Sequence, residues 1–165
     1  MKKILSVLLC LVILCGVSAC SSDEEETKKD KKDKTEEKKK TEYAIGETAE
    51  VKGIKITVNS TRIDEGLFGA SDDGTVYFVM DITLENTTDE EFSSSTMLCY
   101  TLKDIDGRKQ ELTIGANTNG SLDTQIEPGE KGTGEIAFKA APEGQLTLTF
   151  KPNSFENDKA KFIVR

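Results

Sequence analysis

The sequence predicts an all-β fold, an immunoglobulin-like antiparallel β-sandwich of seven to nine strands, and three observations predict it. Hydrophobic and polar residues alternate with period two from about residue 45 onward. Turn-forming residues interrupt the alternation at short intervals. No part of that region sustains a 3.6-residue period.

The strands follow in order. Ile54, Ile56 and Val58 alternate with Lys55, Thr57 and Asn59. Val76, Phe78, Met80, Ile82 and Leu84 share one face, with Asp81, Thr83 and Glu85 on the other. Leu98, Tyr100 and Leu102 repeat the pattern, which sets Cys99 on the opposite side. Ile136 and Phe138, then Leu146, Leu148 and Phe150, then Phe162 and Val164 complete the series. Between them, Glu85 to Asp89 is a polar break and Asp106-Gly107 a tight turn. Pro128-Gly129 has the residues of a type II turn, and Pro142-Glu143-Gly144 closes the next hairpin. Tryptophan is absent and no cysteine pair is available, so the expectation is immunoglobulin-like architecture without the antibody core.

The amino terminus is of another kind. Lys2 and Lys3 precede an apolar run from Ile4 to Cys15, and Val17-Ser18-Ala19-Cys20 follows. This is the pattern of a lipoprotein signal peptide, with cleavage between Ala19 and Cys20 and lipid on the Cys20 thiol. The apolar stretch is shorter than the roughly 20 residues of a membrane-spanning helix. More than one acyl chain on one cysteine gives stable anchoring. The expected domains are the signal peptide at 1–19, a lipidated cysteine with a charged tether at 20–42, and the sandwich at 43–165. The tether, SSDEEETKKDKKDKTEEKKKTE after Cys20, has no apolar residue and is expected to be disordered. As a flexible chain it would reach about 25–30 Å on average. The expected location is the extracytoplasmic face of the cell membrane.

Composition narrows the chemistry. The chain carries 22 basic and 30 acidic residues, a net charge of −8, and loss of Lys2 and Lys3 with the signal would take it to about −10. Such a chain is a poor partner for nucleic acid, and equally for anionic lipid or wall polyanions. Cys10 and Cys15 fall in the signal and Cys20 carries lipid, so Cys99 is left without a partner and reads as a small packed hydrophobe. Histidine is absent, which removes Ser-His-Asp and Cys-His systems and most transition-metal sites. No catalytic residue, metal ligand or cofactor is expected. Asp72-Asp73-Gly74 and Asp104-Ile105-Asp106-Gly107 have hard-cation donors, but each alone has too few oxygens and reads first as a turn.

Exposed rings are to be sought among Tyr43, Tyr77, Phe68, Phe92 and Phe155. The segment Gly66-Leu67-Phe68-Gly69-Ala70 sets an apolar pair between glycines in a loop. Leu67 and Phe68 are thus either a contact finger or a plug over one end of the sandwich, the plug being the plainer reading. The function expected is a non-enzymatic binding or adaptor module for a protein or envelope component. The alternative is a small-ligand or cation-binding surface module.

Several of these segments also carry a resemblance. Ile45 to Ala49, Val51 to Val58, Phe78 to Asn86 (FVMDITLEN), Asp106-Gly107, Pro128 to Lys131 and Gly134 to Phe138 occur in order. The chain resembles a widespread family of Gram-positive lipoproteins described as a domain of unknown function. Their fold is similar to that of the mycobacterial immunoprotective extracellular antigen. The resemblance implies an immunoglobulin-like sandwich and carries over no catalytic residue.

Overall fold

The computed structural model describes residues 40–69 and 73–165. The signal peptide, the Ala19–Cys20 cleavage point, the Cys20 lipid site and the tether as far as residue 39 lie outside the described residues, as do Ala70 and Asp72.

Eleven strands and one helical turn make up the described chain. In order they are β1 (Glu42–Ala44), β2 (Thr48–Val51), β3 (Ile54–Asp64), β4 (Val76–Asn86), β5 (Phe92–Ser94) and α1 (Thr96–Cys99). There follow β6 (Tyr100–Asp104), β7 (Glu111–Leu112), β8 (Thr124–Ile126), β9 (Lys131–Ala140), β10 (Leu146–Phe150) and β11 (Ala160–Ile163). The count exceeds seven to nine because β1, β5, β7 and β8 are only two or three residues long, too short to show an alternation. A four-stranded sheet ordered β1-β11-β10-β6 opposes a five-stranded sheet ordered β2-β3-β4-β9-β7, with β5-β8 as a small third pair. Strand pairs are antiparallel except β1 with β11.

One core lies between the two sheets. Phe78, Met80, Ile82 and Leu84 of β4 belong to the same buried cluster as Leu102 of β6, Leu148 and Phe150 of β10 and Phe162 of β11. These are the residues that the alternation assigns to the inner face. Burying a side chain of this size contributes about 1.5–3 kcal/mol. With no disulfide among the described residues, apolar burial is the main stabilising contribution.

Two expectations change. The alternation assigned Leu98 to the core and Cys99 to the other side, and the reverse holds. The turn α1, with the Cys99 N–H donating to Ser95 O at 2.9 Å, shifts the phase just before β6 begins. Leu98 is exposed, and Cys99 packs in the core, where burial pushes its thiol pKa up. Tyr77, expected among the exposed rings, is 8% exposed. A bulge between Val58 and Ser60 turns Arg62 and Asp64 to the outer face, opposite Val79 and Tyr77. There Tyr77, Val79, Ala137 and Ala116 form a second small cluster. Ala116 belongs to the loop between β7 and β8, which crosses this part of the sheet.

The two ends of the sandwich differ. At one end β4 finishes on Asn86, whose side chain is entirely buried. The turn there is the one expected from Pro128-Gly129, closed by the Glu130 N–H to Glu127 O at 3.0 Å. At the other end, the chain between β3 and β4 meets the loop after β7.

Candidate functional site

That second end is built by three charged side chains. Arg62 donates to Asp64 Oδ2 at 2.6 Å and to Glu135 Oε2 at 2.9 Å, and also to the Asn117 carbonyl. Asp64 Oδ1 accepts the Gly66 N–H at 2.8 Å, the Asn117 N–H at 2.9 Å and the Asn117 side-chain amide at 3.1 Å. Glu135 Oε2 accepts the Asn119 N–H at 2.9 Å. The network therefore fastens two loops, 65–69 and 113–121, to β3 and β9. The loops are also joined directly, the Leu67 N–H donating to Gly115 O at 2.7 Å.

Glycine is required where the first loop begins. Gly66 has φ +82°, and a Cβ there would lie 2.3 Å from the Tyr77 ring. The backbone thus lies flat on Tyr77 and directs the next residues outward. Leu67 is 54% exposed, Phe68 92% and, on the neighbouring loop, Ile114 94%. The plug reading fails on this geometry, since a plug would bury Phe68. Ala116 of the second loop, with Gly115 beside Tyr77, does the covering instead. The result is an apolar tip on a braced base. Ile114 escaped the sequence reading because it sits two residues after Leu112 and continues a strand alternation that ends there.

The charges at the base are mutually fixed. Hydrogen bonds from the Asn117 and Gly66 amides, helped by Arg62, hold the Asp64 carboxyl well below the usual carboxylate range. The Arg62 guanidinium lowers Glu135, and Glu135 and Asp64 in turn raise Arg62. Both carboxylates are depressed relative to unfolded values of about 3.9 and 4.3. Their stabilisation is therefore complete above that range and is lost as pH falls through the folded values. An Arg62→Met variant should melt below wild type at pH 7, and the gap in Tm should narrow below about pH 4. Thermal melts from pH 7 to 2 check this; a gap that stays constant would mean that Arg62 does not act on the ionised carboxylates.

Among the described residues, the other sequence candidates are not brought together. Asp104 accepts the Arg108 N–H at 2.8 Å, Asp106 pairs with Arg108 at 3.3 Å, and Asp73 pairs with Lys139 at 3.7 Å. Among the described residues, no group of three or more Asp, Glu or Cys side chains is placed to hold a metal ion. Phe155 is exposed, while Tyr43 and Phe92 are half-buried against the core.

The class that the fold defines is a small two-sheet β-sandwich, here with an exposed apolar tip at one end. The chain belongs to the family described as Domain of unknown function (DUF4352), which matches residues 43–161. Solved structures share the fold. The yjhA protein of Bacillus subtilis is 18% identical with a TM-score of 0.59, covering 74% of this chain and 99% of its own. The secreted protein MPT63 of Mycobacterium tuberculosis is 13% identical with a TM-score of 0.56, covering 74% and 95%. The ycdA protein of Bacillus subtilis, described as a candidate lipoprotein, is 16% identical with a TM-score of 0.57, covering 71% and 38%. None of the curated proteins matches the chain. The family resemblance read from the sequence thus holds, and so does the sandwich it implied.

Proposed function

We propose that this chain is a non-enzymatic binding module, held at the extracytoplasmic face of the cell membrane by lipid on Cys20, that contacts a partner protein through Leu67, Phe68 and Ile114. The observation that carries the reading is the exposure of Phe68 and Ile114, 92% and 94%, on loops locked by Arg62, Asp64 and Glu135. Large apolar side chains held out rigidly bind with little entropy lost on ordering. Aromatic anchors of this kind dominate interface energies. The anchor rests on the Val17-Ser18-Ala19-Cys20 motif. The descriptions of ycdA as a candidate lipoprotein and of MPT63 as secreted agree with it. The non-enzymatic reading rests on the missing histidine and on the acid pair itself. With Arg62 between them, Asp64 and Glu135 both stay ionised near pH 7, and neither can serve there as a general acid.

Crosslinking on intact cells tests this with two variants. In Phe68→Asp/Ile114→Asp, both substituted side chains are solvent-exposed, so stability should stay within about 1 kcal/mol of wild type. The adduct formed by wild type should fall at least about tenfold, since hot-spot losses exceed about 2 kcal/mol. An adduct that survives in this variant removes the tip from the account. Cys20→Ser should release the protein from the membrane fraction, and continued association would refute the lipid anchor.

A further inference from the structure

The outer face of the four-stranded sheet collects Lys103, Lys109, Lys151, Lys159 and Lys161. None of the five makes an ion pair among the described residues. Every other lysine described does, as do Arg62 and Arg108. Among the described residues two carboxylates line the face, Glu42 and Asp104, and Asp104 is engaged by its own turn. A chain with a net charge of −8 thus has one face where five ammonium groups meet two acids. The overall acidity that argues against polyanionic partners is a sum over faces, and it does not describe this one.

The layout points to the shape of the partner. Lys103 lies across a bridge from Lys109 and beside Thr147. Further along the same strands, Lys151 and Lys159 follow directly on the Phe150–Ala160 pair. Like charges set opposite one another on a sheet cost stability. Glu42 lies across from Lys161 at the sheet edge, and among the described residues no ion pair offsets the Lys103–Lys109 bridge or the juxtaposed Lys151 and Lys159. Thr101 and Thr149 pair with each other at the centre, with Lys161 next in the same row. Together these residues line a concavity of about 460 Å³. From residue 147 to 151 the strand rises roughly 13 Å, so a single small anion cannot meet all five lysines. A chain with repeated charges can. Among the described residues the face has lysine and no arginine, that is, compact ammonium point charges of the kind that bind phosphate. Among the described residues lining it there is also no aromatic ring on which a base could stack.

We propose that this face is a binding site for a linear phosphate-bearing polymer. The site lies on the sheet opposite to the one that carries Arg62 and Glu135, and it depends neither on the tip nor on lipid at Cys20. Lysine footprinting tests it on the full chain in the presence of neutral phosphatidylcholine nanodiscs, whether or not the chain is anchored to them. The lysines are acetylated with and without inorganic polyphosphate, and modification is read by mass spectrometry. The expected result is at least a fivefold drop in acetylation at the five lysines, with Lys52 and Lys131 unchanged. That protection should disappear near about 0.5 M salt, as screening and counterion competition require. Equal protection of all lysines, or none, overturns the proposal. A third arm uses nanodiscs containing phosphatidylglycerol and no polymer. Protection of the five lysines there would assign the face to an anionic lipid surface and also overturn the polymer.

Discussion

Replacing Asn86 by leucine is expected to lower stability by roughly 4 kcal/mol and Tm by on the order of 15 °C. Asn86 is wholly buried at the end of β4. Its side-chain amide donates to Glu90 O at 2.7 Å and to Ile126 O at 2.9 Å. Its Oδ1 accepts from the Thr88 N–H at 3.0 Å and the Thr88 hydroxyl at 2.7 Å. The main chain adds bonds to Glu130 and Gly129. One side chain therefore joins the loop after β4 to the end of β8. Leucine has the same branched skeleton of four heavy atoms but is bulkier and makes none of the four bonds. Each buried group left unpaired costs about 1–3 kcal/mol. Thermal and urea unfolding measure the loss; a Tm drop below about 3 °C would mean that water or a local shift replaces the amide.

The second large effect is expected at Gly134. A Cβ there would lie 2.7–2.9 Å from three backbone atoms of Ser121. Backbone cannot swing away as a side-chain tip can, so Gly134→Ala should lift the crossing segment off β9. The bond from the Glu135 N–H to Asn119 O, at 2.9 Å, would be strained or broken with it. Overpacking of this kind costs about 1–3 kcal/mol. Amide exchange should quicken at Asn117, Asn119 and Leu67, and stay unchanged in the central part of β4. Uniform quickening would instead mean a global loss of stability. Unchanged exchange at Asn119 would mean that the crossing does not depend on this close approach.

Much of the fold is visible in the alternation, and the exceptions have local causes. The alternating residues of β3, β4 and β10 are buried as the pattern requires, because each packs against an opposed sheet. Leu98 and Cys99 exchange roles because a single helical turn shifts the phase, and four residues are too few to show a helical period. Tyr77 is buried because a loop some forty residues later in the chain crosses the outer face. Alternation reports on one face of one strand and cannot show what lies over it.

The sites were less legible. Leu67 and Phe68 stand out between glycines, but their exposure follows from Gly66 lying on Tyr77 and from the brace that Arg62 makes to Glu135. That brace spans 73 residues of sequence. The five lysines are equally scattered, from Lys103 to Lys161. Only the β11-β10-β6 order brings them to one surface. Net charge, the one quantity the sequence offers for that question, has the opposite sign.

The proposed binding role requires that the tip touch a partner in the living cell. The direct measurement places a photo-reactive phenylalanine analogue at position 68 of the anchored protein, with the same residue at exposed position 91 as control. Position 91 lies near the Asn86 end of the sandwich, about 30 Å along β4 from the tip. Irradiation of intact cells should give one adduct of defined mass from position 68 and none from position 91. Adducts of equal yield from both positions, or none from position 68, would contradict the assignment of the tip as a contact surface.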